Sequence, residues 1–473
     1  MKQRKLSELV ALMQPAAVEV VGDDVLVGPD VVTDNRAVTP GAVFVAIPGE
    51  RVDGHSFAAA AQDAGASAVV GMYVTDADVP HLLGEDSVQT LSWIARGVVK
   101  EARARGMLSI GVTGSSGKTS TKDLIFQVLE QAGETVAPSG SLNNEIGVPL
   151  TACRVGEATQ FLVSEMGARG IGHIKWLTSL VPLDIAVALN VGSAHAGEFG
   201  GIEMTARAKS EIVEDLSDDG WAVLNADDEH VRAMASKTKA RIAWVGTGAL
   251  PEGALRITAR NITIDAVSRP RFTLEVSDDQ GTRSAPVALS VVGRHQVGNA
   301  LSAAAVGVIA GMDVERVAAA LSAAVARSDW RMALSELASG ALLVNDAYNA
   351  NPESVTAALN TVAEMVDINR EAHPGATATA VLGDMLELGA NAYDAHVGIG
   401  RRCADLGFSK VIAVGEFASA IVEGAAEGVP ECVVVTRDEV ARHLAPGAGD
   451  VVLVKGSRAV GLEQVAAALE EAQ

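Results

Sequence analysis

The stretch MLSIGVTGSSGKTS, residues 107–120, decides the fold of this chain. It begins with apolar residues that predict a buried strand, continues through a turn of glycine and serine, and ends where a helical pattern starts. Glycines let consecutive backbone N–H groups point into one concavity, and the first turn of the helix adds positive potential. The stretch therefore predicts a phosphate-binding loop, in a variant form because Val112 stands where the strict spacing has glycine.

The loop supplies the first candidate site residues. Lys118 is expected to reach the terminal phosphates of a nucleotide, and the Thr119 hydroxyl to ligate Mg²⁺. A chance Gly-Lys-Thr turn is the competing explanation, but the strand before it and the helix after it favour phosphate binding. The candidate nucleotide contacts are Thr113, Gly114, Ser115, Ser116, Gly117, Lys118 and Thr119.

Outward from the loop, apolar strands alternate with helical segments, which predicts an α/β fold whose central parallel sheet is covered on both faces. Segments 255–264, 271–277 and 286–292 instead predict three successive strands, an antiparallel addition to that sheet. After Arg331 the alternation restarts and ends in a helix at 459–472, which predicts a doubly wound, Rossmann-like unit without a GxGxxG fingerprint. For 473 residues we expect three domains, at 1–106, 107–327 and 328–473.

Composition excludes several classes of function. Lys and Arg total 37 against 59 Asp and Glu, which gives a formal charge of −22. A chain this acidic lacks the basic face that nucleic acid or an anionic membrane requires. Any anionic ligand must therefore be held by a few local Lys, Arg and backbone N–H groups, and we expect no nucleic-acid partner.

Cysteine usage and hydropathy predict a cytoplasmic protein. The three cysteines are far apart and form no CxxC pair, which fits a reducing compartment and excludes a disulfide scaffold. The first residues, MKQRK, look like the start of a signal peptide, but Glu8 interrupts the apolar run that should follow. The longest apolar stretch, 300–312, is too short to span a bilayer.

Three further residues and one cluster carry possible chemistry, each with a plain structural alternative. Glu165 ends the apolar strand FLVSEM, where a carboxylate suits Mg²⁺ or is simply solvated. His195 lies in a Gly-rich loop after another strand, where a structural role is equally open. Lys209, taken alone, reads as a surface lysine beside Glu211. Asp346, Asn349 and Asn351 follow a strand before Pro352, and such a cluster also caps helices.

Together these segments resemble a known family. From about residue 33 to the C-terminus, the chain contains in the same order the motifs of the Mur ligases, and the pairing of SLNNEIGVPLT with NDAYNANPES is typical of the branch that adds D-alanyl-D-alanine. The shared segments are TGSSGKTS, SLNNEIGVPLT, SEMGARGIGHI, LNVGSAHAGEFGG, ARAKSEI, GRHQVGNALSA, NDAYNANPES, LGDMLELG and VLVKGSRAVGLE.

The resemblance implies roles for individual residues. Lys118 and Thr119 would serve ATP and its Mg²⁺, Glu165 would bind the metal, and His195 would help to hold a second Mg²⁺. Lys209 would be carbamylated by CO₂ and so become an anionic metal ligand. Asn299 would contact adenine, and Arg331 and Asp346 would contact phosphate and ribose. The implied substrate contacts are Asp34, Asn35, Arg36, Asn143, Asn144, Asn349 and Asn351, the first three at a UDP-binding first domain.

The resemblance also implies an activity, the ATP-dependent joining of D-alanyl-D-alanine to UDP-N-acetylmuramoyl-tripeptide through an acyl phosphate, by a monomer. Two other readings stay open at this point. A folylpolyglutamate synthetase-like ligase would use similar phosphate and metal motifs. A nucleotide-binding partner module without turnover would keep the loop alone.

Overall fold

The computed structural model describes residues 1–14, 16–192 and 201–471. Its sheets confirm the predicted α/β class, with a parallel central sheet, an antiparallel addition and a C-terminal parallel sheet. In the part of the chain that the structure describes, no strand pairing joins one sheet to another, and the boundaries 1–106, 107–327 and 328–473 remain a prediction. Within the described residues, no helix is both long and apolar enough to cross a membrane.

The first domain has a small mixed sheet and a separate two-stranded sheet, flanked by helices. Its strands β4, β5, β6 and β7 are parallel neighbours, β2 pairs antiparallel with β7, and β1 pairs with β3. The strands are β1 (Arg4–Lys5), β2 (Glu19–Val21), β3 (Leu26–Val27), β4 (Val31–Val32), β5 (Val43–Val45), β6 (Ala68–Gly71) and β7 (His81–Leu83), and the helices are Leu6–Leu12, Ala58–Asp63 and Ser87–Ala104.

The central domain carries the phosphate loop at the middle of its sheet. In the described chain nine strands form the order β16-β15-β14-β13-β12-β11-β8-β10-β9, parallel from β9 to β14 and antiparallel beyond. The strands are β8 (Leu108–Thr113), β9 (Thr135–Val136), β10 (Phe161–Glu165), β11 (Ile185–Ala188), β12 (Trp221–Asn225), β13 (Arg241–Gly246), β14 (Leu255–Ile264), β15 (Pro270–Asp278) and β16 (Gly281–Ala288). The helices are Lys118–Leu129, Gly147–Cys153, His173–Leu180, Ile202–Glu214, Glu229–Ala233, Gln296–Ile309 and Val314–Ala323.

Small and branched aliphatic side chains fill both faces of this sheet. Ile110 and Val112 of β8 pack with Leu124 and Val128, while Leu162 of β10 belongs to the cluster on the opposite face. Burial on both faces explains why these strands read as continuous apolar runs in the sequence. The parallel strands therefore form a rigid layer whose carboxyl ends present the loops that follow them.

The C-terminal domain is a second, mostly parallel sheet. Among the described residues its strands follow the order β17-β18-β22-β19-β20-β21, with only β17 antiparallel to its neighbour. The strands are β17 (Ala333–Glu336), β18 (Leu342–Asn345), β19 (Ala378–Gly383), β20 (Lys410–Val414), β21 (Glu431–Val434) and β22 (Val451–Lys455), and the helices are Pro352–Asn369, Ala392–Asp405, Ala418–Ala425 and Glu463–Glu471.

Two predicted elements were placed wrongly. The strand predicted at 286–292 is Gly281–Ala288, because Asp278 pairs with Gly281 across a tight turn and the strand begins there. The final helix, predicted at 459–472, begins only at Glu463, because Gly461 at φ 76° closes a separate short turn. Both errors come from local turn geometry that apolar periodicity does not record.

Candidate active site

The phosphate loop joins β8 to the helix Lys118–Leu129 at the centre of the sheet. Gly117 takes φ 78°, and a Cβ there would lie 2.8 Å from Oδ1 of Asn299, so glycine is required for both backbone and space. Asn190, just beyond β11, accepts from the backbone N–H of Ser116 at 2.9 Å and returns a bond to its carbonyl at 3.2 Å. The loop is therefore held in shape by its neighbour strand before any ligand binds.

The seven predicted loop residues have different positions. Ser115 to Thr119 line a cleft of about 250 Å³ between the central and C-terminal domains, which we call the central cleft. Thr113 lies beneath it, where its buried hydroxyl donates to the Met166 carbonyl at 2.9 Å. The carbonyl of Gly114 accepts from Nζ of Lys118 at 2.7 Å. Thr113 and Gly114 therefore shape the loop from behind.

Lys118 is a partly buried cation in this cleft. Burial lowers its pKa, and the nearby Arg331 lowers it further, whereas the carboxylate of Glu165 opposes the shift. Its ammonium curls back onto its own loop, so a phosphate entering the loop would offer it a stronger, charged acceptor.

Glu165 stands at the end of β10 and confirms the rule that strand ends face the ligand crevice. Its side chain is fully buried and accepts from the Thr119 hydroxyl at 3.0 Å and from the Asn143 amide at 2.8 Å. Ser141 lies 3.4 Å from both Glu165 and Thr119. The carboxylate and hydroxyls form a compact set of oxygen atoms beside the loop.

This oxygen set fits Mg²⁺, which binds through one or two carboxylates, water and substrate phosphates. Glu165 and Thr119 would supply the protein oxygens, and the phosphate loop places nucleotide oxygens next to them. No group of three or more His, Cys, Asp and Glu side chains gathers in the described ranges, so the structure offers no all-protein cage.

Lys209 is not the surface residue that its sequence context suggests. Its side chain in the helix Ile202–Glu214 is only 2% exposed and faces the central cleft. Burial holds its pKa well below the usual range, and Lys118 lowers it further. Glu211, the expected surface partner, is itself buried and accepts from two backbone N–H groups of another helix, those of Gly172 and Lys175. The prediction of a solvated ion pair is therefore wrong.

Arg331 reaches the cleft from the segment that leads into the C-terminal domain. Its guanidinium donates to the Thr119 hydroxyl at 3.2 Å and lies over the Tyr348 ring at 4.1 Å. Its Nε is buried and has no hydrogen-bond partner within the described residues. An unsatisfied guanidinium N–H facing the phosphate loop fits an anion.

Asp346 and Asn299 line a smaller pocket of about 130 Å³ beside the loop, which we call the side pocket. Asp346 is buried and already engaged, because Nζ of Lys455 lies 2.5 Å from one of its oxygens and the Met332 backbone N–H donates to the other. Asn299 donates to Gln296 at 2.9 Å and borders Gly117. The structure thus places both residues near the loop, with Asp346 held in a tight ion pair.

Four of the predicted asparagines, Asn143, Asn144, Asn349 and Asn351, line the central cleft. Asn351 caps the helix Pro352–Asn369 through the Ser354 backbone N–H at 2.8 Å, and its amide also donates to the Ser115 carbonyl at 3.4 Å. The capping interpretation is therefore correct, and the substrate contact stays a prediction. Asn349 accepts from Lys455 through its backbone carbonyl at 2.9 Å, and the Asn144 side chain caps the turn before Gly147 at 2.9 Å.

Asp34, Asn35 and Arg36 do not join this cleft. They form a short turn on the first domain, where Arg36 pairs with Asp34 at 2.6 Å and is 85% exposed. Hydrogen bonds from Arg36 lower the pKa of Asp34 to about 2. His195, the other predicted metal ligand, lies outside the described residues.

Sequence reasoning missed several residues of the site. Ser141 and Asn190 are polar residues in loops next to parallel strands, and Arg169 and His173 line the cleft after β10. Lys455 left the clearest signal, because a lysine ends the apolar run VVLVK and such a strand end points toward the ligand crevice.

Comparison with known proteins agrees with this geometry. Three family models match the chain: "Mur ligase family, catalytic domain" at 30–103, "Mur ligase middle domain" at 112–307 and "Mur ligase, glutamate ligase domain" at 330–458. UDP-N-acetylmuramoyl-tripeptide--D-alanyl-D-alanine ligase of Mycobacterium tuberculosis (strain ATCC 25618 / H37Rv) is 41% identical over 476 residues, covering 92% of this chain and 91% of that protein.

Solved structures give the same result. Crystal structure I of MurF from Acinetobacter baumannii has a TM-score of 0.84 and 28% identity, and covers 100% of this chain and 99% of its own. MurF ligase from Thermotoga maritima in complex with ADP has a TM-score of 0.75 and 28% identity, with coverage of 93% and 97%. The match of domains, sequence and fold leaves one assignment: the chain belongs to the Mur ligase family.

Proposed function

We propose that this chain is an ATP-dependent ligase that joins D-alanyl-D-alanine to UDP-N-acetylmuramoyl-tripeptide in peptidoglycan precursor synthesis. One observation carries the proposal: Lys118 and Arg331, from two different domains, converge on Thr119 and Glu165 in a single cleft. Two cations over a carboxylate and hydroxyl pair suit the transfer of a phosphoryl group. The names of the relatives supply the substrates.

Amide formation from a carboxylate needs activation, because a carboxylate oxygen is a very poor leaving group. In our proposal the γ-phosphoryl group of ATP moves to the terminal carboxylate of the tripeptide and gives an acyl phosphate. The free amine of D-alanyl-D-alanine then attacks the acyl carbon, and phosphate leaves. Lys118 and Arg331 hold the transferred group and offset the repulsion between two anions.

The nucleotide would span both pockets. Its phosphates would lie on residues Ser115 to Thr119 in the central cleft, and its base and ribose would enter the side pocket toward Asn299 and Asp346. Lys455 would then act on the ribose only through Asp346, because their ion pair already occupies one carboxylate oxygen.

Metal binding completes the proposed chemistry. Glu165 and Thr119 would hold one Mg²⁺, and His195 with a carbamylated Lys209 would hold a second; bound Mg²⁺ would neutralise charge on the phosphates. Formation of a carbamate requires a neutral amine, since only the free electron pair attacks CO₂. The depressed pKa of Lys209 keeps its amine neutral over a wider pH range and so favours that reaction.

The first domain would hold the UDP end of the substrate, with the exposed Asp34, Asn35 and Arg36 at its surface. The proposal keeps domain boundaries at 1–106, 107–327 and 328–473, a monomer, and a cytoplasmic reaction. Asn143, Asn144, Asn349 and Asn351 would contact the peptide portions from the walls of the central cleft.

The deciding experiment measures phosphate release with ATP, Mg²⁺ and UDP-N-acetylmuramoyl-tripeptide, with and without D-alanyl-D-alanine. Release that requires both substrates, together with a product of the combined mass, is the expected result. Release with folate and glutamate instead would identify a folylpolyglutamate synthetase-like enzyme. Binding of nucleotide without any amine-dependent release would identify a non-catalytic module.

A further inference from the structure

The segment that connects the central and C-terminal domains is seated along one helix. We call residues 324–332 the interdomain linker and the helix Lys118–Leu129 the loop helix, since it begins at the phosphate loop. The Gln127 side chain of the loop helix donates to the Val325 carbonyl and accepts from the Val325 backbone N–H, both at 3.0 Å. These two hydrogen bonds to the backbone of Val325 fix the start of the linker.

A second anchor lies one helical turn closer to the phosphate loop. The Ser328 hydroxyl donates to one carboxylate oxygen of Asp123 at 2.6 Å. The other oxygen lies 2.5 Å from Nζ of the buried Lys122, which also donates to the Pro138 carbonyl at 2.9 Å. The ion pair with Lys122 therefore fixes the Asp123 carboxylate independently of the linker, and the hydrogen bond from Ser328 to this carboxylate is charge-assisted.

The third contact is functional. Arg331 of the linker donates to the Thr119 hydroxyl at 3.2 Å. Thr119, Asp123 and Gln127 are spaced by four residues, so they form one stripe along the helix. The linker runs antiparallel to this stripe and meets it at three points that end beside the phosphate loop.

The backbone around Arg331 is held in an unfavourable conformation. Trp330 and Met332, on either side of it, have backbone φ angles of 56° and 51°, which residues other than glycine rarely adopt. The Tyr348 backbone N–H donates to the Trp330 carbonyl at 3.2 Å, and Asp346 accepts from the Met332 backbone N–H at 3.1 Å. Such a conformation persists only where its surroundings enforce it.

From these contacts we propose that Asp123 and Gln127 are positioning residues, which set the Arg331 guanidinium over the phosphate by fixing the linker at Ser328 and Val325. Arg331 lies three residues after Ser328, a stretch that spans at most about 10 Å, so the anchor limits where the guanidinium can go. Lys118 opens the same rigid helix. One helix therefore places both cations on one phosphoryl group, and this inference rests on the proposed function.

The test compares Ser328→Ala and Gln127→Ala with Gln131→Ala, a control at an exposed residue just past the same helix. We expect each anchor variant to lower kcat by roughly tenfold. This is the effect of losing one hydrogen bond to a charged group, as in Ser328→Ala, or two hydrogen bonds to backbone, as in Gln127→Ala. KM for ATP and Tm should stay unchanged. The control should match the wild type. Asp123→Asn alone is a weaker test, because it removes the carboxylate that pairs with the buried ammonium of Lys122 and so can misfold the chain.

A double-mutant cycle separates positioning from general stability. In an Arg331→Ala background, Ser328→Ala should cause no further loss, since its only route to the reaction is removed. Equal losses in both backgrounds, or an unchanged kcat for both anchor variants, would overturn the inference. Normal turnover of Arg331→Ala would overturn it together with the phosphate role proposed for that residue.

A readout without turnover distinguishes this inference from the proposed function. Backbone hydrogen exchange over residues 324–332 should slow when a non-hydrolysable ATP analogue binds the wild-type chain, and should slow much less in Ser328→Ala. Equal protection in both proteins counts against the anchor, whatever the enzyme's substrates prove to be.

Discussion

At the scale of single residues, the central cleft brings two lysines together in different surroundings. The pKa of Lys209 is lowered by burial first and by Lys118 second, whereas Glu165 offsets part of the lowering at Lys118. The surroundings therefore favour the charged form of Lys118 more than that of Lys209. The proposed roles of the two lysines follow this difference.

The carbamate proposal predicts chemical rescue. Lys209→Ala should lose nearly all turnover and regain part of it with millimolar acetate or propionate, because a small carboxylate can replace the missing anionic ligand. Lys118→Ala is the matched variant: it should lose turnover too, but no carboxylate can replace a cation. Steady-state rates with and without added acid measure both. Equal rescue of the two variants, or none of Lys209→Ala, would remove the support for a carbamate.

A second prediction at this scale concerns Gly117. Alanine there would adopt φ 78° at a cost of about 1–2 kcal/mol and would crowd Asn299, so we expect a lower Tm and a KM for ATP at least about tenfold higher. Gly298 is the control, since a Cβ there meets nothing and helix propensity favours alanine by about 0.5–1 kcal/mol. Thermal unfolding and ATP titration test both; a normal KM in Gly117→Ala would contradict the geometry.

At the scale of elements, the ends of the strands and the hydrogen bonds that hold the loops after them determine which side chains reach the site. In the C-terminal domain, His396 holds the loop after β19: its Nε2 accepts from the Met385 backbone N–H at 2.8 Å, and its Nδ1 donates to the Ala392 carbonyl at 2.6 Å. The ring also stacks on Phe417 at 4.6 Å. This arrangement needs the neutral imidazole, and burial accordingly lowers the pKa of His396.

That lowered pKa gives a pH prediction with a definite sign. The unfolded chain binds the His396 proton below about pH 6.5, while the folded chain resists it, so stability is full above pH 6.5 and falls as pH decreases toward the folded pKa. His396→Gln should flatten this part of the profile and cost roughly 1 kcal/mol at neutral pH. Urea unfolding from pH 5 to 8 measures it, and an unchanged slope in the variant would show that His396 does not titrate there.

Sequence reasoning predicted the elements better than their tertiary contacts. The phosphate loop is local, and Glu165 follows from the rule for strand ends, so both were predictable from a short stretch of chain. The burial of Lys209, in contrast, depends on which face of its helix another element covers, and the local sequence does not record this. The ion pair of Asp346 depends on Lys455, which lies 109 positions away and is connected to it by no local pattern.

At the scale of the whole molecule, a chain with a formal charge of −22 concentrates cations in one cleft. Lys118, Arg169 and Arg331 all line it together with the buried carboxylate of Glu165. Local potential rather than net charge therefore governs anion binding here. The acidic surface contributes to solubility, while the site depends on two domains meeting.

Contacts across that junction indicate a closed arrangement. Glu364 of the helix Pro352–Asn369 accepts from Arg294 at 3.1 Å with one oxygen and from Ser268 at 3.1 Å with the other, both in the central domain. Reaction through an acyl phosphate requires exclusion of water, and product release requires opening. We therefore expect the Glu364 contacts to favour closure without touching the phosphate loop.

Weakening this contact should favour the open state. Glu364→Gln loses a charged acceptor shared by two donors, worth about 1.5–3 kcal/mol, which shifts the equilibrium by roughly ten- to a hundredfold. Small-angle scattering should then show a larger radius of gyration without ligand, and compaction only when ATP analogue and nucleotide substrate are both present. Glu371→Gln, an exposed change just past the same helix, is the control. Identical scattering of the two variants would mean that Glu364 does not govern closure, and contacts at the phosphate loop, such as Arg331 with Thr119 and Asn351 with Ser115, would then have to hold the domains together.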